Sequence, residues 1–569
     1  MLCREPRPGL VHLALCAGAA ALVACPGCGR VSGPPTQRAA GAAGTLRLAE
    51  QMDPSSLDPA IAYDTVSWVY VRMLYAGLLD YDDTVNVVPA MAEALPSISA
   101  DGRTYTFRLR PGIRFSNGRA VSAQDFVYTI ERILDPRTKS PGEGFYRSIV
   151  GARDFQAARG KEREARTAGE TRTDRWIEPT HVRGLSAPDE LTLRLQLEEP
   201  NLAFLNVMAL PFAYAVPQEA VQQYGDDFFC HPVGAGPYLL AEWKRGTRMR
   251  FTRNPAFNLT APPPLAAVEV MVGGDSLVHQ MMFERGELDI NEEIPAPDFV
   301  RITTDPRWEP YLVTALVNRT VYLPMNCEMP PFTDVRVRRA MNYAVDKDRI
   351  LQTINGRGVA ARGVLPPQMP GYDPHLRGYD HDPAKARLLL AQAGHPEGFE
   401  APFWVRSDVG FELKVAQALQ QQFADVGVRL ELKPVSFATL IDVMGRRKAA
   451  AFGIFGWSQD YPDPNNFLDV LLNGNRIVES ACNNAAFYSN PKVNDLLERA
   501  ARETDRAARL ALYHQAEQTI VDDAPWVFLY HPITYALRQP WVQGFAIHPV
   551  WPVRIEKISL VGGSEGGAR

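Results

Sequence analysis

The chain is predicted to be an α/β protein built from two or three lobes, on three observations. Its 569 residues exceed what one hydrophobic core organises. In its second half, helical and strand patterns follow one another, the signature of a layered α/β body. In its first half, residues 104–110 and 191–197 alternate apolar and polar side chains with a period of two, as half-buried strands do.

Composition bounds the class. With 46% hydrophobic and 22% charged residues the chain is neither disordered nor membrane-embedded throughout. A net charge of −5, with no basic patch interleaved with aromatics, argues against nucleic acid as a partner. The 46 prolines favour a loop-rich exported protein.

The first 24 residues read as a signal peptide: Arg4 and Arg7 precede a small apolar stretch, residues 10–24, too short for a comfortable transmembrane helix. The stretch ends in Leu22-Val23-Ala24-Cys25, which resembles the bacterial lipobox. Cys25 is then the first mature residue and accepts a diacylglycerol, anchoring the protein to a membrane; the alternative is ordinary cleavage after one of the alanines. Residues 25–44 are Ala-, Gly-, Pro- and Ser-rich and read as a flexible tether. Of seven cysteines only Cys230, Cys327 and Cys482 lie in the body. No C-x-x-C pair occurs there, which excludes a zinc ribbon or a thioredoxin-like site; the three thiols allow one disulfide, with no basis for choosing the pair.

The folded part opens with a strand at 45–49, a turn at 55–59 and a helix over 66–79 with Val66, Val69, Tyr70, Met73, Leu74 and Leu78 on one face. After strand 104–110, Ser122 and Asp125 have the spacing of a capping box opening a helix. The charged run 161–175 reads as a solvated insertion. The Gly-rich stretch 231–238 lacks both GxGxxG and a P-loop Lys, so it is read as a tight loop entering two strands, 238–243 and 247–253. A helix with Leu277, Met281 and Met282 follows. Asp334 caps a further helix, Asp382-Pro383 starts one and Gly394 stops it. A helix over 411–424, a strand over 428–432, two helices over 493–503 and 505–521, and a strand at 526–530 complete the pattern.

Chemistry concentrates in residues 455–467, FGWSQDYPDPNNF. An apolar, β-prone run ends at Trp457, and within three residues the chain turns to acid and proline. A carboxylate at the end of a buried strand, beside Trp457 and Tyr461, is costly unless a cation meets it. Asp460 is therefore a candidate for a ligand ammonium group, against the simpler reading of a turn or helix-cap residue. Asp463, between two prolines, fits the turn reading.

Several stretches together resemble the large extracytoplasmic solute-binding proteins of ABC importers, the oligopeptide and dipeptide-binding family. They are Ser56-Leu57-Asp58-Pro59; YTFRLRPGIRFSNGRAVSAQDF at 105–126; Gly234-Ala235-Gly236-Pro237-Tyr238 with Arg253-Asn254-Pro255; NCEMPPFTDVRVRRAMNYAVD at 326–346; and Tyr461-Pro462-Asp463-Pro464. Ala235, where the family commonly has Thr, and the long charged loop before Trp176 depart from the pattern.

The resemblance implies a periplasmic-binding-protein-like fold, two lobes around a hinge plus an inserted third domain (cluster C type). Lobe I takes 45–77, 201–317 and 526–569, the inserted domain 78–200 and lobe III 318–525, with crossovers near Asn318 and Pro525. It implies an extended peptide held between lobes and delivered to a permease and ATPase complex, by a protein that is monomeric, carries no cofactor and is not an enzyme. Trp457 and Ser458 map to one strand edge for the peptide, and Tyr63, Asp64 and Thr65 to the facing edge. Asp460 maps to the ammonium anchor and Arg406 to the residue for the ligand carboxylate. Relatives of this fold that bind chelated nickel, haem or sugars keep a non-peptide ligand open. His231, His375, His381 and His531 are scattered without metal-ligand spacing. A secreted hydrolase is the reading of a different class; neither G-x-S-x-G nor H-E-x-x-H occurs.

Overall fold

The computed structural model describes residues 44–167, 179–407 and 410–561. The signal segment, Cys25, Cys28 and most of the charged run lie outside the described residues. β1 (Thr45–Glu50) opens the chain with Leu46 and Leu48 buried. α1 (Thr65–Leu74) follows; it is shorter than the sequence pattern suggests, because Tyr75 is already extended. Its carboxyl end meets the Gly-rich loop: the Gly236 N–H donates to the Leu74 carbonyl at 3.0 Å. A Cβ on Gly234 would stand 2.2 Å from that oxygen, so only glycine fits the approach.

The chain then builds a separate sheet. β2 (Thr104–Arg108) pairs with β3 (Thr192–Gln196), flanked by Ser97–Ile98 and Leu185–Asp189. Tyr105, Phe107, Leu193 and Leu195 are the buried set, as the alternation requires. α2 (Ala123–Leu134) covers this sheet and carries the Ser122/Asp125 capping box. α3 (Ala152–Thr167) takes up the start of the charged run. These elements share one core with Phe204 and Phe212, and two distant residues join it, Tyr461 and Trp551.

β4 (Tyr238–Lys244), β5 (Arg248–Arg253) and β6 (Ala267–Val272) return to β1 in the order β1-β6-β5-β4, with β1 and β6 parallel. α4 (Ser276–Glu284) differs from its expected orientation. Leu277 and Met281 are exposed, while His279, Gln280, Phe283 and Glu284 are buried. The inward polar groups are matched there: Gln280 donates to Glu284, Asn291 donates to Gln280, and Arg301 pairs with Glu284.

A third body begins after β7 (Leu312–Leu316) with β8 (Arg319–Pro324). α5 (Val335–Ala344), α6 (Pro383–Gln392), β9 (Phe399–Arg406), α7 (Gly410–Ala424) and β10 (Val428–Val435) form its first half, with β9 and β10 parallel. β11 (Phe455–Ser458), α8 (Asn465–Leu472), α9 (Pro491–Arg502) and α10 (Arg506–Asp523) form the second. Two large cores fill this body, one around Phe403 and Phe452 and one around Phe467 and Tyr513, with a small cluster around Leu440 and Met444.

β12 (Trp526–Arg538) joins the third body to the first. Sequence placed a strand at 526–530; it runs to Arg538. Residues as far as Tyr530 pair with β8, and residues from Ile533 pair with β7 and then with Ile290–Asn291. The change of partner falls at Pro532, within the strand, where sequence put the crossover at Pro525. Beside it the other strand passes from β7 to β8 through Val317 and Asn318. Cys230, Cys327 and Cys482 are all free thiols, so the one disulfide that three cysteines allow is not formed: Cys230 sits in the core beneath β1 and α1, with Leu46 and Tyr70, and the other two in the third body. No described helix is long and apolar enough to cross a membrane.

Candidate functional site

β11 is the last strand on its side of the large sheet, pairing with β8 on one side only. Its other edge faces β9. The two strands touch upstream, where Ile454 donates to the Trp404 carbonyl at 2.9 Å, and beyond that bridge they part. The backbone of residues 455–458 is thus left without a partner strand along this edge, the arrangement to which an extended chain adds.

Asp460 ends this edge. Its Oδ1 accepts the Tyr63 hydroxyl at 2.6 Å and its Oδ2 accepts Asn466 Nδ2 at 3.0 Å. Asn466 Oδ1 in turn accepts the Asp460 N–H at 3.0 Å and Trp457 Nε1–H at 3.1 Å. One buried amide therefore fixes both strand end and carboxylate. Burial pushes the Asp460 carboxyl above its ordinary range, and the donations from Tyr63 and Asn466 oppose this. Both donors are neutral. A carboxylate offers about four acceptor positions, so further donors can be received.

The residues around Asp460 bring all three bodies together. Gln459 donates to the Pro549 carbonyl at 2.9 Å and accepts from Asn318 at 2.9 Å. Tyr63 belongs to the first body, and its ring packs on Phe212 (5.5 Å between centroids) and Phe145 (6.4 Å). Tyr461 packs edge-on against Phe145 at 6.3 Å and donates to Asn465 at 2.7 Å. Carboxylate and aromatic wall together suit a small organic cation.

Among the other residues singled out in the sequence, Ser458 is exposed at the end of β11. Residues 63–65 form a turn and the start of α1, not a strand edge. Asp64 is the cap of α1, accepting the Ser67 N–H at 2.7 Å and the Ser55 hydroxyl at 2.5 Å, and Thr65 is exposed in the first turn. The Ser/Asx chemistry there favours a helix start over pairing. Arg406, at the end of β9, lies 4.0 Å from Glu412 and 4.4 Å over the Phe437 ring. Asp463 is not merely a turn residue: it is buried and bidentate with Arg509, both contacts 2.7 Å. Asn466, Gln459 and Phe145 were missed. An Asn just after the prolines carried a weak signal, since Asx residues bond nearby backbone; the other two had none.

Among the described residues no group of three His, Cys, Asp or Glu is placed to hold a metal. A cavity of about 1000 Å³ lies elsewhere, between α2 and the loops after β1, and several of the charges lining it are matched internally: Arg132 with Asp58, Arg137 with Asp135, His181 with Glu131.

The family model described as bacterial extracellular solute-binding proteins, family 5 middle, matches residues 86–478. Glutathione-binding protein GsiB of Pectobacterium atrosepticum is 28% identical over 500 residues, covering 87% of this chain and 90% of its own. Heme-binding protein A of Haemophilus influenzae is 28% identical over 522 residues, covering 87% and 88%. Among solved structures, clavulanic acid biosynthesis oligopeptide binding protein 2 aligns with a TM-score of 0.80 at 27% identity, over 93% of this chain and 96% of that one.

Proposed function

Since the chain belongs to the bacterial extracellular solute-binding proteins of family 5, the substrate-binding partners of ABC importers, we propose that its own ligand is a short peptide held by its free amino terminus. The observation that carries this is Asp460: a carboxylate enclosed by neutral donors and aromatic rings at the end of a free strand edge. A peptide ammonium supplies the cation it lacks. The peptide backbone then pairs with β11, which gives affinity that does not depend on sequence. Arg406, toward the parting of β9 and β11, receives the ligand carboxylate.

The lobes move about the paired crossovers at Val317–Asn318 and at Pro532. Lobe I comprises 45–77, 201–317 and the chain beyond Pro532; residues 78–200 are the inserted domain and the rest is lobe III. Closure brings Tyr63, Phe145 and Pro549 onto residues 459–461 and shuts the ligand in. The protein binds and delivers without catalysis, as a monomer, and is exported and held at a membrane by lipid on Cys25. Palmitate labelling that survives Cys25→Ala would contradict the anchor.

Relatives named for glutathione and for haem show that ligand class varies among similar chains. The test is calorimetric titration of the mature protein with a random peptide pool and with an N-acetylated copy. Binding of the free-amine pool only, abolished in Asp460→Ala, is expected. Equal binding of both pools would remove Asp460 as the amine anchor. Binding of neither, with a haem or other non-peptide mass co-purifying in native mass spectrometry, would overturn the peptide reading.

A further inference from the structure

Arg319 opens β8 directly opposite Ser458 of β11. Cross-strand partners share a face, so its side chain lies on the same side of the sheet as Ser458 and Gly456. It crosses β11 over Gly456: a Cβ at 456 would stand 3.1 Å from Arg319 Nη2 and 3.3 Å from Nε. The missing side chain is what lets a guanidinium reach across the last strand toward its unpaired edge. No carboxylate among the described residues pairs with Arg319, and its buried Nε has no acceptor. Tyr530, a buried phenol pushed up to about 12 by burial, lies within electrostatic reach of Arg319, and Glu412 is engaged by Arg406. A buried guanidinium donor without an acceptor is costly, and charge-assisted, bidentate bonds to a carboxylate are how such a group is ordinarily satisfied.

We propose that Arg319, reaching over Gly456, forms a carboxylate subsite beside the edge of β11, separate from Asp460 and Arg406. The group it takes is a carboxylate on the ligand residue seated against Gly456, either an acidic side chain or the chain terminus. The site as a whole then matches a small anionic peptide: one ammonium at Asp460 and two carboxylates at two guanidiniums. This rests on the peptide reading and on the orientation that Asp460 gives it.

The test titrates wild type, Arg319→Met and Gly456→Ala with trialanine, its C-terminal amide, and tripeptides carrying Glu or Gln at each position in turn. The alanine at 456 displaces the guanidinium without removing its charge, and thermal melts of the free variants report folding. Wild type is expected to prefer a carboxylate at one place by about tenfold, with both variants losing that preference, read within each variant as the ratio of its affinities for the charged and uncharged probes. A preference for Glu over Gln identifies an acidic side chain; a preference for free acid over amide identifies the terminus. Variants that retain the preference, or that weaken charged and uncharged probes equally, would overturn the subsite while leaving the peptide reading intact. Trialanine failing to bind wild type would remove the peptide reading and the subsite with it.

Discussion

At Asp460 both donors are neutral, the Tyr63 hydroxyl at 2.6 Å and the Asn466 amide at 3.0 Å, and burial holds the carboxyl pKa above its ordinary value. An amine ligand binds the ionised form, so a proton competes with it. Affinity is therefore predicted to fall as pH is lowered through that raised pKa, and Asp460→Asn should abolish the dependence. The same substitution should weaken a free-amine peptide roughly 30-fold or more, the lower end for removing one member of an enclosed charge pair. Calorimetry across pH checks both. Asp460 stood out in the sequence as an acid ending an apolar run, with turn chemistry as the simpler local reading, and the resemblance singled it out. Tyr63 was named only by the resemblance, as part of a strand edge and not as a donor to Asp460, because it lies 397 residues away and nothing local joins the two.

Individual elements follow local rules where their partners are near in sequence. The strands at 104–108 and 192–196, the Ser122/Asp125 box and the Asp382-Pro383 start all form as their spacing dictates. Elements set by distant partners escaped. α4 turns polar residues inward because Asn291 and Arg301 match them, and β12 runs on because β7 waits to pair with it. Asp463, read as turn chemistry, is bound by Arg509 on α10, and each side chain is under a tenth exposed. Arg509→Met leaves that carboxylate buried alone and should cost about 3–5 kcal/mol by urea unfolding.

A second buried acid, Glu517 on α10, accepts the N–H groups of Val364 and Leu365 at 2.8 Å each. Burial pushes its carboxyl up to about 7, against an ordinary 4.5. Between those values the unfolded chain has released this proton and the folded chain retains it. Glu517 thus contributes stability fully below pH 4.5, and that contribution is lost as pH rises through about 7. Glu517→Gln, which keeps an acceptor for both N–H groups, should remove that loss, on the order of 2–3 kcal/mol between pH 4.5 and 7.5. Urea midpoints of both proteins at the two pH values check the sign.

For the whole molecule, the three-body plan was legible from length and family resemblance, but the way the bodies meet was not. Residues 459–461 touch Pro549, Tyr63 and Phe145, one contact each across a cleft. If the lobes open about the proposed hinge these contacts break, so they are expected to set how far the free protein opens. Removing two of them with Tyr63→Phe and Gln459→Ala should raise the radius of gyration of the ligand-free protein by small-angle scattering, and saturating peptide should restore the compact value. An unchanged radius would show that the hinge strands alone hold the closed form.

Asp460, as proposed, receives a peptide amino terminus at the end of the β11 edge. The most direct measurement is a crystal structure of the protein with trialanine bound. The ammonium nitrogen is expected about 3 Å from the Asp460 carboxylate, with the peptide backbone hydrogen-bonded along residues 455–458. A peptide seated with its carboxylate toward Asp460, or in any other cavity of the molecule, would contradict it.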